Sequence, residues 1–328
     1  MLLVLILLPL VQSCTALPAE ERSFAVVLGV DGGAEGLTVM ARVPVYQSGG
    51  GYATLQGHGA DIEAALQNLE ASAPMHLHTG QLRLVVLTHD LMADGRGAGV
   101  IRWLGRQHDV RLQAQAAVTH EDLKILMEAM KPSTGERLSK SVDVLVEARQ
   151  RQGLAPQAQL ADVCRMGHGQ TPVLMQLVLH SGAVEVEGGW ALDASGLPAV
   201  RLDGQEMQLL SLMMGQMKSG ELTLAGRSVR VMEASGRAEL TGMPPDGATV
   251  QFHLVCGEKE GLKNAQEVLA QQALALVSRL ATAGADPLGL GRQAVRQCRD
   301  MEQWRELDWT RRVKKIQWRV LAGMEPAA

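Results

Sequence analysis

The residue with the clearest chemistry in this sequence is Cys14, which follows Val11-Gln12-Ser13 directly behind the apolar run Met1 to Val11 (MLLVLILLPLV). A small residue before a cysteine, with an apolar residue three positions ahead of it, is the pattern on which bacterial lipoprotein maturation acts. The thiol takes a diacylglyceryl group, and cleavage makes the cysteine the first residue. As a helix the run would reach about 17 Å, far short of the ~30 Å core of a bilayer. It fits the apolar core of a secretory signal instead. Residues 1–13 are therefore expected to be a lipoprotein signal and Cys14 the lipidation site. Membrane lipid is the expected partner of the acylated Cys14, since two or more acyl chains anchor stably. The expected location is the extracytoplasmic face.

Other residue sets offer less. Cys164, Cys256 and Cys298 remain, and outside the cytoplasm a disulfide is permitted. Cys256 and Cys298 lie on elements that could meet, while three small buried thiols is the competing reading. Cys164 with His168, or His76 with His78, supplies two ligands where zinc needs about four. Asp31-Gly32-Gly33 and Gly289-Leu290-Gly291 lack the strand, spacing and lysine of a phosphate cradle. Turn glycines explain them better. Glu206 and Glu302 open predicted helices, where a carboxylate suits the positive end of the dipole. There is no Gly-x-Ser-x-Gly elbow and no His-Glu-x-x-His. The reading is a binding and assembly protein, not an enzyme, with no catalytic residue, no cofactor and no metal. Arg311, Arg312, Lys314, Lys315 and Arg319 form a basic stretch. It reads as a solvated strand edge or as a contact for anionic lipid or an acidic partner face. Trp304, Trp309 and Trp318, close by, suit a core whose indole N–H groups must find acceptors.

The elements that would position these residues form an α+β pattern of several mixed α/β domains, with antiparallel sheets flanked by helices. The chain has 328 residues and net charge −4, which gives no electrostatic reason to expect nucleic acid. Strands are expected over 23–31 and 37–45 as a hairpin, then a Gly- and Ser-rich loop over 46–59 and a helix over 61–71. A strand at 82–88, a helix at 99–107, a strand at 110–118 and helices at 120–130, 135–152 and 157–166 follow. Gly167 to Pro172 (GHGQTP) reads as a boundary. It divides the mature chain into 14–167 and 168–325, with a further split of the second part near 200 left open. Beyond it come strands at 173–179 and 183–191 and a Met-rich helix at 205–218. Four short strands between 221 and 255 are expected to form an antiparallel meander. A helix over 260–283 covers one face of that meander by its stripe of Leu262, Ala265, Leu269, Leu276 and Leu280. Short helices and a strand over 313–321 close the chain.

Several segments, taken in order, resemble the Ger(x)C family of spore germination lipoproteins. Behind Cys14, Glu21 to Asp31 (ERSFAVVLGVD) resembles the family's first-strand block, Leu37 to Pro44 its second strand and Ile62 to Leu69 its first helix. His78 to Leu87 resembles the next strand block, with Gln81 where members usually carry His, and Arg106 to Leu112 the stretch before another strand. Ala285-Asp286-Pro287-Leu288-Gly289-Leu290-Gly291, then Trp304 and Trp309, resembles the closing block. The resemblance implies the C subunit of a germinant receptor in the spore inner membrane, without enzymatic activity. It further implies that this subunit works with the integral-membrane A and B subunits in nutrient-triggered germination. A lipoprotein that captures a small nutrient for a transporter or sensor is the alternative.

Overall fold

A computed structural model describes residues 22–45, 51–73, 75–132, 137–166, 169–224, 226–242, 245–258 and 261–327. Cys14 and residues 1–13 lie outside the described residues, as do Gly167 and His168.

The centre is an eight-stranded mixed sheet of order β10-β9-β8-β7-β6-β2-β3-β4. Its strands are β2 (Val27–Gly33), β3 (Gly36–Pro44), β4 (Tyr52–Gly59), β6 (Leu84–Thr88), β7 (Gln115–Thr119), β8 (Val173–His180), β9 (Ala183–Leu192) and β10 (Pro198–Leu202). β2, β6, β7 and β8 run parallel, and antiparallel strands flank them on both sides. The run LVVLT in β6 is apolar throughout because both faces of a central parallel strand are covered. Val85 and Leu87 enter one core, while Leu84 and Val86 enter the core on the opposite face. The first core is closed by α1 (Ile62–Ser72), α2 (His89–Ala93), α3 (Arg96–Leu104) and α6 (Leu160–Cys164). The second is closed by α4 (Leu123–Ala129) and α5 (Leu138–Arg151).

A separate strand, β1 (Arg22–Phe24), pairs in parallel with β5 (His76–His78). The strand expected over 23–31 is thus two strands, which part at Ala25 and Val26 to serve two sheets.

The second sheet has the order β11-β12-β13-β14: Gly220–Leu224, Arg227–Thr241, Gly247–Cys256 and Gln317–Pro326. One face is buried under α7 (Gly204–Met213) and α8 (Leu262–Thr282), whose Leu262, Leu269, Leu276 and Leu280 meet Val250, Phe252 and Leu254. The other face shows Arg230, Gln251 and Arg319 to solvent, as the wet face of a largely antiparallel sheet should. The remaining helices are α9 (Leu290–Gln297), α10 (Met301–Leu307) and α11 (Trp309–Arg312).

The structure revises several sequence expectations. Residues 52–59 form β4, not a loop. The two short strands expected between 228 and 241 are one continuous strand, β12. The meander is antiparallel only through β13, because β14 returns in parallel register from Gly247↔Gln317 to Cys256↔Pro326. That strand begins at Gln317, and Val313–Lys315 is a single 3₁₀ turn. β10 and α2 had no counterpart in the sequence reading. The eight-stranded sheet draws strands from both sides of residue 167, and the change of sheet falls between Leu202 and Gly220. Cys164, Cys256 and Cys298 are all free thiols, so Cys256 and Cys298 do not pair. Cys256 is buried on β13, whereas Cys298 follows α9 and spends its Sγ on the Ala294 carbonyl.

Candidate functional site

Asp286 organises the C-terminal half. Its carboxylate is buried, with 4% exposure. Oδ1 accepts from the Leu290 amide at 3.0 Å, and Oδ2 accepts from the Gly291 amide at 2.7 Å and from Trp309 Nε1 at 3.1 Å. The main chain is held as well. Asp286 N donates to Thr171 Oγ1 at 2.7 Å, and Thr171 N donates to the Asp286 carbonyl at 3.1 Å. Gln170 Nε2 donates to the Pro287 carbonyl at 3.2 Å. Gly169 and Gly291 touch backbone to backbone. A Cβ on Gly291 would stand 2.5 Å from the Gly169 carbonyl oxygen and from Trp309 Nε1. One residue therefore ties together three pieces: its main chain holds Thr171, and its carboxylate holds the start of α9 and the indole of α11.

Burial raises the Asp286 pKa to about 7, against the opposing pull of the Gly291, Leu290, Trp309 and Gly289 hydrogen bonds. The Gly289-Leu290-Gly291 turn, considered for phosphate, turns its N–H groups inward: Leu290 and Gly291 donate to the Asp286 carboxylate and Gly289 to the Asp286 carbonyl. The hydrogen bonds of the knot all join one part of the chain to another. Of the three tryptophans near the chain's end, Trp309 is the one whose N–H acceptor is a buried charge.

A second cluster lies at the carboxyl ends of the parallel strands, where open α/β sheets place ligands. His89 directly follows β6 and His120 directly follows β7. Their rings stack at 4.2 Å, and Trp190 of β9 lies 4.7 Å from His89. Partial burial, with His89 and Arg201 nearby, pulls the His120 pKa below its ordinary value. Thr88 Oγ1 donates to Asp31 Oδ1 at 2.7 Å, which links the ends of β2 and β6. Sequence reasoning missed this group. The available signal was a histidine immediately after each of two apolar strands.

The other singled-out residues are occupied locally. His76 meets Glu70 at 3.1 Å, and His78 Nδ1 accepts from Gly80 N. The Gly33 and Gly36 carbonyls accept from Arg96, so that turn presents acceptors to a cation and not donors to a phosphate. Glu206 caps α7 with Asp203 and pairs with Arg279 of α8 at 2.8 Å. Glu302 lies in the first turn of α10. In the basic stretch, Arg311 pairs with Asp308 and Arg312 donates to the Pro245 carbonyl, while Lys314, Lys315 and Arg319 are exposed. Among the described residues no group of three or more His, Cys, Asp or Glu is placed to hold a metal ion. No helix among them is long and apolar enough to cross a membrane.

This arrangement of layers matches a solved structure, described as the crystal structure of the GerBC protein. The match has TM-score 0.54 and 14% identity and covers 92% of this chain and 97% of that one. At that identity the likeness establishes the fold. The model for the N-terminal domain of spore germination proteins matches residues 16–179, half of the sequence, and the chain belongs to that spore germination family. No curated protein sequence matches it.

Proposed function

We propose that this chain is the C-type subunit of a spore germinant receptor, a non-enzymatic lipoprotein held on the outer face of the membrane by acylated Cys14. In this reading it works beside integral-membrane A and B subunits. The observation that carries the proposal is the family match over 16–179, which begins two residues after Cys14. The Asp286 carboxylate, which accepts from Leu290, Gly291 and Trp309, joins parts of the chain to one another, as an assembly role would use it. Cys14→Ala tests the anchor. Wild type incorporates labelled fatty acid and partitions with membranes, and its processing is blocked by globomycin. The variant loses the label and becomes soluble. A wild-type protein that carries no lipid would refute the tether. Co-purification with two multi-span membrane proteins from solubilised spores supports the receptor role, and recovery without them contradicts it.

A further inference from the structure

The two large sheets have four outer edges, and three of them spend a backbone carbonyl on a helix side chain. On β4 the His58 carbonyl accepts from Asn68 Nδ2 of α1 at 2.6 Å. On β10 the Arg201 carbonyl accepts from Arg279 Nη2 of α8 at 3.3 Å, and on β11 the Glu221 carbonyl accepts from Gln208 Nε2 of α7 at 3.0 Å. The fourth edge is β14. Its Gln317 N donates to the Asp246 carbonyl at 2.9 Å, and Ala327 N beyond its end donates to the Cys256 carbonyl at 2.7 Å. Alternate residues of a parallel strand face the same neighbour, so the odd-numbered residues of β14 bond to β13. The N–H and C=O groups of Trp318, Val320, Ala322 and Met324 point away from the sheet, and they have no hydrogen-bond partner among the described residues. The strand keeps an unbroken register over ten residues, whereas protein edges are commonly short, bulged or covered.

The side chains of this edge are unfinished as well. Trp318, Val320, Ala322 and Met324 face the core beneath the sheet but stay half-buried. Their β13 neighbours Ala248, Val250, Phe252 and Leu254 are at most 2% exposed. One more strand beside β14 would complete both the ladder and the burial. On the wet face Arg319, Leu321 and Glu325 are exposed. Arg319 makes no ion pair among the described residues, and Glu325 meets His253 only at 3.8 Å.

We infer that β14 pairs with β14 of a second copy of this chain, antiparallel across a two-fold axis at Ala322, so that two four-stranded sheets join edge to edge. Charge selects this register. With Ala322 on the axis, Arg319 stands opposite the partner's Glu325 and Glu325 opposite the partner's Arg319, both pairs on the wet face. Leu321 stands opposite the partner's Gly323, which leaves room for it. Val320 stands opposite the partner's Met324, so the outward backbone groups of 320, 322 and 324 meet as hydrogen-bonded pairs. Pro326 has no N–H and ends the ladder. Moving the axis one residue, to Leu321 or Gly323, sets Arg319 against the partner's Gly323 or the partner's Ala327 and loses both ion pairs. The inference concerns a free edge of the fold and does not depend on the receptor reading.

Sedimentation velocity of the full chain in density-matched detergent reads the oligomeric state. The wild type is expected to be a dimer at micromolar concentration. Arg319→Glu or Glu325→Arg sets like charges opposite each other twice in each dimer and is expected to weaken association about tenfold. The double variant Arg319→Glu/Glu325→Arg is expected to restore it. Both residues are exposed, and far-UV circular dichroism checks that each variant folds. Ala322→Cys gives a second reading: the two new thiols meet at the axis, and mild oxidation is expected to yield a covalent dimer that the wild type does not form. A monomeric wild type, whether alone or bound to a different protein, overturns the inference. So does a dimer that ignores both charge reversals, a double variant no tighter than the single ones, or an Ala322→Cys chain that does not cross-link. Growth into longer oligomers also overturns it, because that pattern joins β14 to the β11 edge of the next copy.

Discussion

At the scale of single residues, Asp286 sets the clearest expectation. Its folded pKa of about 7 lies above its ordinary value of 3.8. An acid that holds its proton more tightly when folded adds most stability below its unfolded pKa, and that contribution is lost as pH rises to the folded one. Stability should therefore fall between about pH 4 and pH 7, by an amount on the order of a few kcal/mol. Urea denaturation across that range measures it. Asp286→Asn should flatten this slope and lower stability most near pH 4, by about 1–3 kcal/mol or more, because an amide cannot accept from all three donors, and the deficit should shrink as pH rises toward 7. Trp309→Phe removes a donor that favours the carboxylate, so it should extend the slope to higher pH. In the sequence Asp286 was legible as a member of a spaced Asp, Gly-Leu-Gly and Trp block, but its partners were not. Thr171 is distant along the chain, and only the fold brings the two together. His89 and His120 were illegible for the same reason: each sits alone in sequence, and their stacking depends on β6 and β7 being neighbours.

At the scale of elements, β4 shows how a strand can hide. Tyr52–Gly59 contains Gly57 and Gly59, which read as loop residues. In the fold they let α1 lie directly on the strand. A Cβ at Gly57 would stand 2.3 Å from the Ala65 carbonyl oxygen and from the Leu69 amide. Gly57→Ala should accordingly destabilise the protein by about 1–3 kcal/mol or more, by prising the helix off the sheet. Gly99, in the middle of α3, would place a Cβ in open space. Gly99→Ala should stabilise by about 0.5–1 kcal/mol, since the helix loses a flexible residue. Denaturation midpoints that move the same way for both variants would contradict this account. Helices were more legible than strands. Asp61 caps α1 as a helix-start residue should, and the leucine stripe of α8 faces the sheet as its spacing required. The join of β12 was not readable, because Ser235 and Gly236 look like a turn and yet pair with His253 and Phe252.

At the scale of the whole molecule, the two sheets share material. Val173, Ala191, Val200 and Leu202 belong to strands of the first sheet but pack in the core of the second. A fragment of residues 22–202 keeps every strand of the eight-stranded sheet, whereas one ending at 167 lacks β8, β9 and β10. We expect the longer fragment to melt cooperatively at a lower temperature than the full chain, and the shorter one to show no cooperative transition by calorimetry. The reverse order would place a unit boundary at 167. The parallel pairing of β13 with β14 carries a consequence for biogenesis. The intervening stretch, from Cys256 to Gln317, must be synthesised and packed before the two strands can meet, and contacts so distant along the chain form slowly. A ribosome that has reached residue 300 holds a three-stranded sheet with an open edge on β13. Until residues beyond 317 are made, that edge presents unpaired backbone groups, a ready template for pairing with another chain.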